Sequence, residues 1–474
     1  MNWFENLKNS SVGWSFIFRT EKTNWFENLV NQFENLVNQI NNVMWNQNLL
    51  VVLLVISGIY FTLRTKGVQF RLFGHMIKLI TEKTKANQEG VSSFQAFCIS
   101  TASRVGVGNL AGVVAAVSVG GPGAVFWMWV VALLSSGTAF IEATIALLYR
   151  EKDPHGGYRG GAPYFIEKGL KMRWLGVIFV VFALICWAGV FQIISNSVTE
   201  SFATAFNIDP RKTSLVLVAL AAVVLFGRRD KIVKVLDKMV PFMSVIYLGV
   251  VIFIIVKNIT VLPSMFTNIF NHAFGIKQFL GGTFGSVVMQ GVKRGLFSNE
   301  AGSGSAPCAA AAAEIEHPVK QGLVQALGVF VDTILICSAT AFVILLSDGK
   351  IPEGLQGMTL LQEAFRYQVG DWGVIFTAVI LFLFSFSTML GISFYAKPNL
   401  AFLHDKLWLQ EAFKVFTLVM LYIGGVRQNF LVWNLADLGL GLMTIVNLIG
   451  VYPLTSKAVE SLKEYEKKFI IKTK

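Results

Sequence analysis

Eleven apolar stretches dominate the chain, at about residues 46–63, 93–118, 122–149, 174–205, 212–227, 239–257, 279–312, 319–347, 372–396, 411–426 and 431–454. A helix that crosses a bilayer needs about 20 apolar residues, with a range of about 17–25. Hydrocarbon offers the backbone no hydrogen-bond partner, so only helices and closed barrels can span it. Barrel strands are about half as long as these segments. Composition removes the remaining alternatives. Charged residues are 14% and apolar residues 54% of the 474, with 42 glycines besides. A soluble chain carries about 25% charge, and a disordered one is poor in apolar residues. The sequence predicts an all-α integral membrane protein with eleven transmembrane helices.

Loop charge orients it. Lys and Arg collect on cytoplasmic connections. Connections 64–92 and 150–173 hold six each, 228–238 holds five, 397–414 holds three, and the tail from Lys457 holds six. With Lys320, 27 of the 40 basic residues fall on one side and ten on the other. Three remain inside spans: Arg104, Lys293 and Arg294. The net charge of +12 thus reads as topology, and no nucleic-acid partner is expected. It predicts a multi-pass protein of the cell membrane, with the N-terminus outside and the C-terminus cytoplasmic. Cys98, Cys186, Cys308 and Cys337 lie in apolar runs without CxxC spacing, which suggests packing thiols rather than disulfides or zinc.

Residues 1–45 form an N-terminal arm with a local repeat: NWFENL at 2–7, NWFENLVNQ at 24–32 and NQFENLVNQ at 31–39. Phe26, Leu29, Val30, Phe33, Leu36, Val37 and Ile40 recur at helical spacing, which predicts an amphipathic helix on the outer membrane surface. Three copies of so short a unit cannot bury a core, so the repeat reads as a local duplication tolerated at a terminus rather than a functional array.

Two spans are interrupted by glycine. The second carries Gly106-Val107-Gly108-Asn109 in its middle; the seventh carries Gly285, Gly291, Gly295, Gly302 and Gly304 with charged residues between. Irregular backbone in a membrane is tolerated only where protein buries it or it lines a cavity. Setting the first span (46–63) aside leaves two groups of five, at 93–257 and 275–454, followed by a basic tail at 455–474. Each group opens with a broken span, and the two groups start from opposite sides. Interrupted helices at matching places of two halves point to an inverted-repeat transporter with its binding site at the breaks. Gly106, Gly108 and Ala111 also fit GxGxxA, but that fingerprint needs a preceding strand and an acidic residue about 20 positions on. Neither HExxH nor GxSxG occurs, and the five histidines fall in loops or at segment edges. No enzyme and no obligate protein partner is expected.

At RVGVGNLAGVVAAVSVGGPGAVFWMW (104–129), YREKD (149–153), YRGGAPYFIEKGL (158–170), KRGLFSNEAGSGSAP (293–307), HPVKQGL (317–323) and FVDT (330–333), the chain resembles the alanine or glycine:cation symporter family. The resemblance runs from about residue 43 to the end. It implies a LeuT-type five-plus-five inverted repeat with one extra N-terminal helix. It also implies sodium-coupled import of small neutral amino acids, alanine or glycine, by alternating access, with Na⁺ as the co-transported ion. A proton-coupled permease on the same scaffold is the alternative. Two departures bear on the substrate: Val107 stands where the family commonly has Thr, and Ile392 where it often has Trp.

A zwitterionic substrate then assigns roles. A helix restarted after a break offers free N–H groups and a positive dipole end, so Val107, Gly108 and Asn109 are expected at the carboxylate. Backbone carbonyls around Gly285, Ser286 and on to Gln290 are expected at the ammonium. Gln192 and Asn196, four apart on one face, are expected beside it, although membrane amides also bond neighbouring helices. Phe384, Ser387 and Thr388 fit i, i+3, i+4, and the fold resemblance sets them against the carbonyls of Ala102 and Val105 as a sodium site. Ser and Thr also back-bond their own helix. Arg104, Glu142, Glu300, Asp332 and Asp437 are the intramembrane ionisable groups that need partners. Lys293 and Arg294 are expected to pair with Glu300, and Arg104 with the substrate carboxylate or a buried acid.

Overall fold

A computed structural model of the protein describes residues 22–82, 91–154, 156–227, 229–275, 284–426 and 431–471. It is almost wholly helical; its named strands are the short antiparallel hairpin Glu151–Lys152 and Tyr158–Arg159. Among the described residues, seven helices are long and apolar enough to cross a membrane: Gly123–Leu148, Arg173–Phe206, Val233–Lys257, Pro318–Leu345, Trp372–Leu403, Leu407–Val426 and Val432–Ile470. Two bent pairs raise the number to nine: Asn31–Asn46 with Leu49–Arg64, at 42°, and Ser93–Arg104 with Gly108–Gly120, at 47°. The other two apolar segments, 212–227 and 279–312, contain shorter helices. Pro210–Leu225 and Phe284–Asn299 have 16 residues each, and Pro307–Ala312 has six.

Local signals set the helix ends. Ser92 and Gln95 form a reciprocal capping box at the start of Ser93–Arg104, each bond 3.1 Å. Asp209 caps Arg211 N–H at 2.8 Å with Pro210 in the first turn. His317 Nδ1 accepts from Val319 N–H ahead of Pro318.

The element order repeats. Each half opens with a broken pair, Ser93–Arg104 with Val113–Gly120, then Phe284–Asn299 with Pro307–Ala312. A long helix follows, then a short one, Ala162–Leu170 or Gly357–Val369. The next helices have 34 and 32 residues, Arg173–Phe206 and Trp372–Leu403. Two more helices close each half.

Glycine brings the halves together. A Cβ on Gly291 would lie 2.5 Å from Ala124 O, and one on Gly295 2.7 Å from Val131 Cγ1. Small residues at crossings let backbones approach where lipid supplies no hydrophobic drive. The helix Gly123–Leu148 therefore seats directly on Phe284–Asn299. The repeated arm does not stand free over its described part. Its helix Lys22–Asn41 docks on Leu431–Tyr465 through Asn41 Nδ2 to Asn434 O (2.7 Å) and Asn434 Nδ2 to Asn38 Oδ1 (2.8 Å). Phe33 and Leu36 stay exposed. The first NWFENL copy lies outside the described residues.

Candidate functional site

The first break begins where Ser93–Arg104 ends, with Val105 at ψ 81°. The chain restarts as a π-turn, Gly108–Gly112, before the helix Val113–Gly120. Asn109 closes the gap: its Oδ1 accepts Gly106 N–H at 2.7 Å and its own N–H donates to Gly106 O at 3.1 Å. Its Nδ2 donates to Asp332 Oδ1 at 2.7 Å. Asp332 lies in a second π-segment, Phe330–Cys337, so the two wide turns meet side by side. Such turns recur at functional sites.

The second break is not where glycine density alone places it. The backbone is helical from Phe284 to Asn299 and unwinds at Glu300 (φ 55°), Gly302 (φ 91°) and Gly304 (φ 84°). Glu142 Oε1 accepts Gly302 N–H at 3.1 Å, and Asn447 Nδ2 donates to both Gly302 O (2.9 Å) and Glu142 Oε2 (3.0 Å). Two other helices thus hold the unwound strand by side-chain hydrogen bonds. The breaks face each other. Ser103 Oγ donates to Glu300 Oε1 at 2.6 Å, and a Cβ on Gly108 would lie 3.2 Å from Ser298 Cα and 3.3 Å from Phe297 Cδ1. Ser298 Oγ donates to Asp332 in turn, at 2.9 Å to Oδ2.

Beside the first break lies a cluster of hard oxygens. Ser387 Oγ is 3.2 Å from Ala102 O, 3.5 Å from Val105 O and 2.8 Å from Phe384 O; Thr388 Oγ1 is 3.0 Å from Phe384 O. All five residues are buried. Gly106 permits this, because Thr388 Oγ1 occupies the place a Cβ would take. Neutral hydroxyls and carbonyls are the donor set a small hard cation prefers. Ile392, buried, lies one turn beyond Thr388 on the same face.

Other expected residues lie elsewhere. Gly285 and Ser286 sit at the far end of their helix; a Cβ on Gly285 would be 3.9 Å from Asn48 Nδ2. At 1.5 Å per residue they stand about 22 Å along the axis from Glu300. Gln192 Nε2 bonds Ala188 O of its own helix at 3.2 Å and touches Met420 Sδ at 3.6 Å, where Gly424 presses on its backbone. Asn196 lies one turn further along that helix and is partly buried.

Buried charge is paired differently from the sequence expectation. Lys293 Nζ lies 2.7 Å from Asp437 Oδ2 and Arg294 Nη1 3.1 Å from Asp437 Oδ1, so both bases share Asp437 rather than Glu300. Arg294 also stacks on Trp433 at 4.3 Å. Arg104, 1% exposed, donates from Nη1 to Gln325 O at 3.1 Å. Sequence reasoning singled out Glu142 and Asp332 only as charges, and Asn447 not at all; a lone amide in an apolar run was its one signal.

Comparison with known proteins agrees with this architecture. The model of the sodium:alanine symporter family matches residues 30–474. The Bacillus subtilis "Probable sodium/glutamine symporter GlnT" is 43% identical over 89% of this chain and 88% of its own. The B. subtilis amino-acid carrier protein AlsT is 41% identical over 88% and 89%. The sodium/alanine symporter AgcS of Methanococcus maripaludis is 38% identical over 89% and 95%. In fold, the chain resembles the crystal structure of a manganese transporter of Eremococcus coleocola, with TM-score 0.50, 12% identity and 78% of each chain covered. A match over nearly the whole chain, with relatives this similar that are carriers rather than enzymes, places the protein in the sodium:alanine symporter family of multi-pass membrane transporters.

Proposed function

We propose that the protein is a sodium-coupled symporter that imports a small neutral amino acid, alanine or glycine, by alternating access. One observation carries the reading: the five-oxygen cluster of Ala102, Val105, Phe384, Ser387 and Thr388 abuts a broken helix whose restart faces a second break. Sodium, as co-transported substrate, is held by those three carbonyls and two hydroxyls. The substrate carboxylate meets the N–H groups at Val107 and Gly108, at the positive end of the restarted helix, while Asn109 holds the turn. The ammonium meets the carbonyls of Phe297, Ser298 and Asn299, beyond Leu296 O, which accepts Glu300 N–H at 2.9 Å. The close approach of Gly108 to Phe297 and Ser298 favours a small side chain, and Ile392 bounds the pocket.

The repeated element order supports two inverted five-helix halves, 93–257 and 275–454, after one extra helix, eleven spans in all. The loop charges put the N-terminus outside and the C-terminal tail in the cytoplasm. AgcS is named a sodium/alanine symporter and GlnT a probable sodium/glutamine one, which supports the coupling ion and leaves side-chain size as the point to test. The test is a competition panel in proteoliposomes, with Na⁺ and pH varied separately. Alanine or glycine is expected to compete best, with uptake abolished by K⁺ replacement. Uptake indifferent to Na⁺ overturns the reading.

A further inference from the structure

The last helix, Leu431–Tyr465, runs past its span into a wide turn, Glu466–Ile470, that lies against two other parts of the chain. Tyr465 is fully buried at the junction. Its Oη lies 2.7 Å from His75 Nε2, on the helix Phe73–Thr81, and its ring 5.1 Å from that of His317. The Phe469 ring stands 4.8 Å from Tyr465 and 5.9 Å from His317. Ion pairs edge this aromatic contact. Arg71 Nη2 lies 2.7 Å from Glu466 Oε1, and Lys468 Nζ 3.9 Å from Glu316 Oε1. Lys320 Nζ lies 2.7 Å from Glu82 Oε1 and 5.3 Å from the Phe469 ring. Chain ends stay loose unless tied down, and this one is tied on both sides.

Glu316 and His317 belong to the connector between the half-helix Pro307–Ala312, which follows the second break, and the helix Pro318–Val329. The start of the connector is gripped as well. Glu314 N–H donates to Val91 O at 2.8 Å, and Arg150 Nη1 donates to Ala311 O at 3.3 Å and to Ala313 O. A half-helix of six residues cannot shift without its connector. The tail rings on His317 therefore bear on the piece that alternating access has to move. Two imidazoles make this contact responsive. His317 Nδ1 accepts Val319 N–H at 3.3 Å, which it can do only while that nitrogen carries no proton. His75 faces Lys78, Glu82 and Lys320; His317 faces Glu316, Lys320, Glu464 and Lys468. The carboxylates draw a proton onto each ring and the lysines repel it. Burial decides the balance and holds both imidazoles below their usual 6.5 while the contact is closed. Rings that take a proton more readily in the open contact make acid favour the open one.

We propose that the C-terminal turn from Tyr465 to Ile470 is a clasp that slows the second broken span, and that cytoplasmic acid releases it by protonating His75 and His317. The clasp lies at the cytoplasmic face in the topology read from loop charge. Its protons bind and leave at that face, and none crosses with the substrate. Import therefore speeds up when the cytoplasm acidifies, with the external pH unchanged.

The inference rests on the symport reading, and one experiment separates them. Alanine uptake under an inward Na⁺ gradient is timed in right-side-out proteoliposomes with internal and external pH set separately. Lowering the internal pH from about 7.5 to about 5.5, the range over which histidine titrates, is expected to speed wild-type uptake about threefold. The same change outside is expected to leave it alone. His75→Gln/His317→Asn, whose amides replace the ring nitrogens without titrating, is expected to stay slow at both internal values. Arg71→Gln/Phe469→Ala is expected to run fast at both. Glu316→Cys/Lys468→Cys, bridged by a short reducible bis-methanethiosulfonate, is expected to stay slow at both until a reductant frees it; the four native cysteines are buried. Recovery on reduction shows that the bridged protein is folded, so this variant decides if another fails to insert. Wild-type uptake indifferent to internal pH, or a bridged variant as fast as its reduced form, overturns the clasp. Uptake without Na⁺ dependence overturns the symport reading instead.

Discussion

Gly106→Ala probes the contact on which the oxygen cluster depends. The added Cβ would coincide with Thr388 Oγ1 and lie 3.0 Å from Thr388 Cβ and 3.3 Å from Phe384 O. The hydroxyl must leave, which forfeits its 3.0 Å bond to Phe384 O. Overpacking a filled interior costs about 1–3 kcal/mol and the lost bond about 0.5–1.5 kcal/mol. The substitution should therefore destabilise by roughly 2–4 kcal/mol. Thr388→Ala alone loses only the bond, about 1 kcal/mol. In the double variant the hydroxyl clash is gone while the 3.0 Å contact with Cβ remains, so relief is partial. The double variant should be more stable than the sum of the singles by about 1–2 kcal/mol, within the range for residues in contact. Denaturant unfolding of the four proteins in micelles measures this. Wild type should gain stability in Na⁺ over K⁺, as a ligand of the folded state does, and Gly106→Ala should not. Strict additivity of the two substitutions would refute the contact.

Asp437→Asn leaves Lys293 and Arg294 without their shared buried carboxylate. Breaking such a pair costs about 3–5 kcal/mol, so the yield of folded protein by size-exclusion chromatography should fall sharply. Asn447→Leu removes the two bonds that Asn447 makes at the second break, to Gly302 O and Glu142 Oε2, and should lower stability by about 1–3 kcal/mol, read as a drop in melting temperature. Outside the spans, burial holds the His75 and His317 imidazoles below their usual value of 6.5. His75 Nε2 lies 2.7 Å from Tyr465 Oη, and the His317 ring 5.1 Å from that of Tyr465. Above pH 6.5 both rings are neutral whether or not this contact is formed, so no penalty exists. As pH falls below 6.5 the unfolded form takes protons first, and stability declines until the folded values are passed. Melting temperature should therefore fall from pH 7 to pH 5, and the slope should flatten in His75→Gln/His317→Gln.

Periodicity carries much of the helical architecture, because apolar spans write their length into every segment. The first break was legible at Gly106-Val107-Gly108, where two glycines flank a span centre. So was the shared face of Phe384, Ser387 and Thr388, since i, i+3, i+4 spacing fixes it without tertiary information. The second break was not. Gly291 and Gly295 sit in regular helix because they seat another helix, whereas Gly302 and Gly304 unwind. Both roles ask for the same residue, and only the partner in space distinguishes them. Gln192 illustrates the same limit: its face was readable, but the helix across from it, at Gly424, was not.

The most direct test of the central claim is alanine uptake into proteoliposomes under an imposed Na⁺ gradient, in wild type and in Ser387→Ala/Thr388→Ala. Wild-type uptake should vanish when K⁺ replaces Na⁺. In the double variant the Na⁺ concentration for half-maximal rate should rise at least tenfold, equivalent to about 1.4 kcal/mol. Wild-type uptake that persists unchanged in K⁺, or a double variant with the wild-type Na⁺ dependence, would contradict it.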